Sequence, residues 1–239
     1  MKRILLLALL LTGFFPLAAQ DYAEYYKYAE EAREMSMLFR GKQGMTYQFP
    51  HNGTYFWYGR EFKKGDVFYN GKLYRDILVN VNAHRQELLV KQSESLLPVL
   101  ADADYVEWFT MDGALFVNLA LRGRDDVQPG FYQVLYEGDS SLYKRVDKII
   151  RKDSQNRNGV GIGYYDPRYN EKILDYFANR EVYYFDNDGR FEPVKKLRGI
   201  VSAFPDRSKV LKKYIKSAGL KQMDFEKASV LLLEFAENE

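Results

Sequence analysis

The chain has 239 residues, with 35 basic residues against 33 acidic ones and no cysteine. A chain of this length buries enough surface to fold as one large or two small domains without a disulfide or a metal. The missing cysteine excludes thiol catalysis, iron–sulfur clusters and cysteine-bound zinc.

The first nineteen residues (1–19) predict a secretory signal peptide. Lys2 and Arg3 precede an apolar run over 4–17, and Ala18-Ala19 offers a small-residue cleavage site before Gln20. The run is shorter than the roughly 20 residues that span a bilayer. We therefore expect an exported protein, periplasmic or associated with the outer membrane, with no transmembrane segment in the mature chain.

Cleavage of this segment would also change the charge. It carries two of the 35 basic residues and none of the 33 acidic ones, so 33 of each would remain. Overall charge therefore gives no reason to expect nucleic acid as a partner.

Residues 21–39 predict an N-terminal helix between a possible Asp21 cap and Gly41. Its apolar positions recur at intervals of three and four residues: Tyr22, Tyr25, Tyr26, Ala29 and Ala32.

The middle of the chain predicts β-hairpins. Asn-Gly or Asp-Gly steps favour type I′ turns and lie among aromatic and β-branched residues at Asn52-Gly53, Asn70-Gly71, Asp112-Gly113 and Asp188-Gly189. We expect 67–69 to pair with 73–74, 105–110 with 115–120, and 182–185 with 190–193. Further strand-like runs between them predict an antiparallel meander of eight to ten strands.

The end of the chain predicts helices. Apolar residues at helical spacing run from Leu197 to Phe204, and two more helices follow Asp206 and Asp224, each expected to act as an N-cap. The helix after Asp206 should bury Val210, Leu211, Tyr214 and Ile215. Its polar face carries lysines that are either solvated or a docking site for an acidic partner: Lys209, Lys212, Lys213 and Lys216.

Together these elements predict an α+β fold. An aromatic-rich antiparallel sheet should carry an N-terminal helix, and the C-terminal helices should pack on the sheet because their apolar stripes need cover. The expected organisation is a signal peptide (1–19), a helix with a β-rich domain (20–195) and a helical segment packed on that domain (196–239).

Several segments resemble a family of secreted proteins from Bacteroidota-type bacteria. Residues 65–77 are similar to its G-x-V-x-Y-x-G-x-L-Y-x-x-V hairpin, 130–138 to its next landmark, 181–195 to its late hairpin and 204–215 to its C-terminal helix. Members are often encoded near TonB-dependent outer-membrane transporters. The resemblance implies a role in the cell envelope and no catalytic residue. The chain departs from the family at 82–84, where the family has an acidic Tyr-Asp step.

Three aromatic residues are candidates for a ligand platform: Tyr55, Trp57 and Trp108. Aromatic residues also fill sheet cores, and that alternative stays open. If 55–58 were a strand, Tyr55 and Trp57 would share one face and Phe56 and Tyr58 the other.

The polar motifs give only weak signals for catalysis or metal binding. His84 and Glu87 could form half a metal site, and Asp186-x-Asp188-Gly189 has the start of a calcium loop without its later glutamate. Acidic residues near one another leave a carboxylate-dependent hydrolase open: Asp102, Asp104, Glu107 and Asp112. We therefore predict no catalytic residue, no metal and no cofactor.

Two functions follow from these observations. The first is a non-enzymatic envelope protein that binds or assists another envelope component, such as an outer-membrane transporter. The alternative is a carbohydrate- or peptide-binding module that uses its aromatic surface. Burial of Tyr55 and Trp57 would favour the first, and their exposure in a row the second.

Overall fold

A computed structural model describes residues 36–44, 46–152, 164–166, 171–173 and 175–238. These residues form twelve strands and three α-helices. The strands are β1 (Lys63–Tyr69), β2 (Lys72–Asn82), β3 (Glu87–Lys91), β4 (Val99–Leu100), β5 (Val106–Met111), β6 (Ala114–Val117), β7 (Tyr132–Glu137), β8 (Ser141–Lys152), β9 (Tyr164–Asp166), β10 (Glu171–Ile173), β11 (Asp175–Asn187) and β12 (Arg190–Val194). The helices are α1 (Leu197–Ser202), α2 (Ser208–Ser217) and α3 (Phe225–Asn238).

The predicted signal peptide (1–19) and most of the predicted N-terminal helix lie outside the described residues. The described end of that helix, Met37–Phe39, forms one 3₁₀ turn whose Leu38 is buried.

Ten strands form one antiparallel sheet in the order β12-β11-β8-β7-β6-β5-β1-β2-β3-β4, and β9 pairs separately with β10. Strands that follow one another in sequence are neighbours in the sheet, with two exceptions. The chain passes from β4 at one edge to β5 beside β1, and the β9–β10 pair lies between β8 and β11 in sequence. The predicted antiparallel sheet and its number of strands are confirmed.

The three predicted hairpins form at their Asn-Gly or Asp-Gly steps. Asn70 and Gly71 have φ of 50° and 71°, as a type I′ turn requires, and Asp112-Gly113 and Asp188-Gly189 have similar values. The hairpin between β1 and β2 pairs as expected, for example Phe68 opposite Leu73. The hairpin between β5 and β6 is shorter than expected, because only 108–111 pair with 114–117, while Tyr105 and 119–120 lie in 3₁₀ turns. Asn52-Gly53 makes no hairpin, because Asn52 forms an isolated parallel bridge with Tyr176.

The turn between β2 and β3 contacts β8 and makes the sheet curve. The Lys148 amide donates to the Ala83 carbonyl at 3.0 Å, and Gln86 Nε2 donates to the Val146 carbonyl at 2.8 Å. Since β7 pairs only with the first half of β8, this turn lies beside its second half. The concave face that results holds the largest cluster of buried side chains, including Val67, Val81, Phe109, Phe116 and Val146.

The C-terminal helices pack on the sheet, as predicted. Leu142 and Phe185 of the sheet share a buried cluster with Ile200, Leu211 and Leu232 of α1, α2 and α3. On the opposite face of these strands, Tyr132, Tyr143 and Phe191 belong to a separate cluster. No helix within the described ranges is long and apolar enough to cross a bilayer.

The details of helix α2 differ from the prediction. Asp206 does not cap it, because Pro205 begins a 3₁₀ turn that contains Asp206 and leads into α2. Val210 is 47% exposed and does not join the apolar face. The Asp224 cap is confirmed, since its carboxylate accepts a hydrogen bond from the Lys227 amide at 2.9 Å.

Candidate functional site

The three aromatic candidates lie in different environments. Trp57 is 4% exposed and packs perpendicular to Phe116 in the concave core, with ring centroids 5.0 Å apart. Trp108 is half-buried and stacks on Phe68 at 5.7 Å. Tyr55 is half-buried in a third environment. The structure therefore does not bring them into one row.

The segment around Tyr55 is not a regular strand, so the expected alternation of its side chains is wrong. Its backbone pairs with the end of β2 through the Trp57 amide and Val81 carbonyl and through the Ala83 amide and Tyr55 carbonyl, both at 2.9 Å. The chain bends on either side of Phe56, which brings the rings of Tyr55 and Phe56 to 4.4 Å.

Tyr55 instead belongs to a group of rings around Phe177, which we call the ring cluster: Tyr47, Phe49, His51, Tyr55, His84 and Phe177. Phe177 lies within 5.1 Å of Tyr47, 4.9 Å of His51 and 5.5 Å of His84. Both histidines of the chain are therefore in one cluster. Phe177 is buried, while the other five side chains are half-buried and reach the surface.

Both histidines are held by backbone carbonyls. His84 Nδ1 is 2.6 Å from the Lys148 carbonyl, and His51 Nδ1 is 3.0 Å from the Phe49 carbonyl. Because a carbonyl only accepts, each Nδ1 carries a proton, and neither Nε2 makes a hydrogen bond with a described residue.

The Tyr47 hydroxyl is a buried polar group beside the Asn82 and Arg85 side chains, and it makes no hydrogen bond of ordinary geometry with a described residue. Its burial raises the pKa of Tyr47, and the nearby Asn82 and Arg85 side chains oppose that shift. The Arg85 guanidinium lies over the Tyr47 ring, 5.3 Å from its centroid.

Lys148 lies next to the ring cluster on the same face of the sheet. It pairs with Asn179 while Ile150 pairs with Phe177, so Lys148 and Phe177 are diagonal neighbours on β8 and β11. Lys148 is only 7% exposed. Its burial lowers the pKa of the ammonium group, and the charge of Glu181 partly offsets this.

A second lysine of the same strand is paired with acids. Lys144 Nζ lies 2.6 Å from a Glu226 carboxylate oxygen and 3.4 Å from one of Glu181. Burial lowers the pKa of Lys144, but these two carboxylates raise it above its usual value. Burial and the hydrogen bond to Glu226 raise the pKa of Tyr183.

The predicted lysine face lies along the exposed side of α2. We call it the lysine stripe: Lys209, Lys212, Lys213 and Lys216. All four side chains are exposed, and none makes a salt bridge with a described residue. The intervals of three and four residues place them in one row.

The weaker acidic candidates have structural roles. Asp102 caps a 3₁₀ turn by accepting from the Asp104 amide at 3.2 Å. Asp186 forms an ion pair with Arg124, and Asp188 lies in the β11–β12 turn. Among the described residues, no three His, Asp or Glu side chains are placed to hold a metal ion.

No protein-family model, curated protein or solved structure matches this chain. Functional inference therefore depends on the contacts within the molecule.

Proposed function

We propose that this protein is a non-enzymatic component of the cell envelope that binds another envelope protein through the lysine stripe. The observation that carries the proposal is a row of four exposed lysines that form no salt bridge with a described residue. A partner with an acidic surface, such as an outer-membrane transporter, would complement this row.

Repulsion between the charges of the lysine stripe destabilises helix α2 when no partner is bound. Four neighbouring pairs at intervals of three or four residues (209–212, 209–213, 212–216 and 213–216) place like charges side by side. Each such pair costs about 0.2–0.5 kcal/mol, so an acidic partner could recover about 1–2 kcal/mol of helix stability besides its own contacts. This cost distinguishes the stripe from lysines scattered over a surface.

The contacts of the other polar groups support a binding role. Both histidines use Nδ1 on backbone carbonyls, and Asp102 and Asp186 serve a turn and an ion pair. The burial of Trp57 favours the accessory function over a platform of exposed aromatic residues. Export rests on the signal peptide predicted for 1–19.

The test is a crosslinked pull-down from native envelopes, read by mass spectrometry, with two charge-reversal variants. Lys212→Glu with Lys213→Glu changes the stripe. Lys195→Glu with Lys196→Glu makes the same charge change at two exposed lysines before α1.

We expect wild type and the Lys195/Lys196 variant to capture one acidic outer-membrane protein in near-stoichiometric amount. The Lys212/Lys213 variant should capture at least about tenfold less, because reversed contacts repel. Capture should also weaken at about 0.5 M salt, where exposed charges are screened. Equal capture by both variants would refute the proposal. The proposal would also be refuted if the Lys212/Lys213 variant lost binding to vesicles of anionic lipid but not to an envelope protein.

A further inference from the structure

Lys148 is a largely buried lysine whose ammonium group has no counter-ion in the described structure. Its side chain is 7% exposed, and no described carboxylate lies within ion-pair distance of it. Glu181 is the acid that acts on it from a distance, but that carboxylate contacts Lys144. Burying an unpaired charge is costly, so such a group is usually matched by an opposite charge.

The surroundings of Lys148 could accept a flat molecule. Phe177 lies diagonally across from it on β11, and His84 binds its carbonyl oxygen. The other rings of the cluster are half-buried, so part of each side chain is accessible to solvent. Rings of this kind bind planar or sugar-like bodies by stacking and edge contacts.

A second cation favours an anion over a neutral ligand. The Arg85 guanidinium lies over the Tyr47 ring and adds positive charge beside the ring cluster. An incoming carboxylate would supply the missing counter-ion for Lys148.

We propose that the ring cluster and Lys148 form a binding site for a small ring compound that carries a carboxylate. The carboxylate pairs with Lys148 and the ring contacts Phe177 and its neighbours. Aromatic acids and sugar acids share this chemistry. This site is separate from the lysine stripe and does not depend on the function proposed for it.

The test is isothermal titration calorimetry of the full chain with benzoate and glucuronate, and with benzyl alcohol and glucose as neutral counterparts. Lys148→Met keeps the length of the side chain and removes its charge, while Lys148→Arg keeps the charge. Lys64→Met, at an exposed position of β1, is the matched control.

We expect at least one of the two acids to bind more tightly than its neutral counterpart. Lys148→Met should weaken that acid by at least about tenfold and leave the neutral compound unchanged. Lys148→Arg and Lys64→Met should bind like wild type. Benzoate binding alone would identify an aromatic acid as the ligand class, and glucuronate binding alone a sugar acid.

A second measurement keeps the inference testable if Lys148→Met does not fold. Binding of the acid by wild type should weaken in alkali, because Lys148 then loses the proton that gives it a positive charge, while binding of the neutral compound should not change. Titration of both compounds at neutral pH and at about pH 10 measures this difference. Absence of acid binding at millimolar concentration, equal binding of the neutral compound, or acid binding that does not weaken in alkali would overturn the proposal.

Discussion

Glu237 connects the end of α3 to the turn between β7 and β8, and its replacement by Gln should destabilise the protein. One carboxylate oxygen accepts from the Tyr136 hydroxyl at 2.7 Å and the Asp139 amide at 2.9 Å. The other accepts from the Ser140 amide at 2.8 Å and the Ser140 hydroxyl at 2.6 Å. Four hydrogen bonds therefore depend on one charged side chain.

The size of the effect follows from these contacts. A hydrogen bond to a charged group contributes about 1.5–3 kcal/mol when buried. Glu237 is half-buried and Asp139 exposed, so water competes for some of them. Glutamine keeps one acceptor oxygen and turns an amino group toward the other two donors. We expect Glu237→Gln to lower the free energy of unfolding by about 2–4 kcal/mol.

The effect should depend on pH in a defined direction. Burial raises the pKa of Glu237, but the hydrogen bonds from Ser140 and Tyr136 outweigh it and hold the pKa below 4.5. A group with a lowered pKa contributes stability above its unfolded pKa and loses it as pH falls through the folded one. The difference between wild type and Glu237→Gln should therefore shrink below about pH 4. On the other side of the contact, burial and the bonded carboxylate raise the pKa of Tyr136 to about 12.

Urea denaturation followed by tryptophan fluorescence measures both effects. Glu234→Gln is the control, because Glu234 lies one turn earlier on α3, is exposed and has no side-chain hydrogen bond among the described residues. If Glu237→Gln were no less stable than Glu234→Gln at neutral pH, or if its deficit persisted in acid, the reasoning would be refuted.

Three further substitutions test the packing by the same assay. Ser229→Ala should stabilise by about 1 kcal/mol, because the Ser229 hydroxyl is buried in α3 without a hydrogen-bond partner among the described residues; a loss of stability would contradict this. Gly65→Ala should destabilise by more than about 3 kcal/mol, because its Cβ would lie 1.8 Å from the Thr110 carbonyl oxygen, whereas Gly59→Ala meets no atom within 4 Å and should be neutral. Gly138→Ala would place a Cβ 2.1 Å from the carboxylate of Glu237 and would push that side chain away from its hydrogen bonds. Because Glu237→Gln already lacks some of these bonds, Gly138→Ala should lower the free energy of unfolding less in that background than in wild type, and additive losses would contradict this.

The sequence predicted the hairpins and helices because each of them depends on residues that are close together in the chain. An Asp-Gly step such as Asp112-Gly113 needs positive φ at both residues, whatever surrounds it. The lysine stripe could likewise be predicted from the intervals between its lysines on one helix. That its lysines form no salt bridge with a described residue depends on the tertiary structure and could not be predicted.

The ring cluster could not be predicted because its residues meet through long-range pairing. His84 reaches Phe177 because the β2–β3 turn lies beside the second half of β8. Tyr47 reaches it because the backbone of Asn52 pairs with β11. The sequence singled out Tyr55 in the cluster as an aromatic candidate but gave no signal for Tyr47 or Phe177. A bend at Phe56 replaced the strand that the aromatic run had indicated.

Lys144 and Lys148 show why charge alone did not locate a site. They lie four residues apart on one face of β8, yet Glu226 pairs with Lys144 and no described acid pairs with Lys148. Lys144→Met should therefore destabilise, because it leaves Glu226 without its cation. Lys148→Met should stabilise, because it removes an uncompensated charge.

The pH dependence of the stability gained by Lys148→Met follows from the lowered pKa of Lys148. Below that pKa the folded protein carries a poorly solvated ammonium group, and the cost disappears as pH rises toward the ordinary lysine value of about 10.4. The gain from Lys148→Met should accordingly be largest near neutral pH and shrink in alkali. If the stability difference between Lys148→Met and wild type were the same at neutral pH and in alkali, the ammonium of Lys148 would not be poorly solvated, and the argument for a carboxylate ligand would lose its basis.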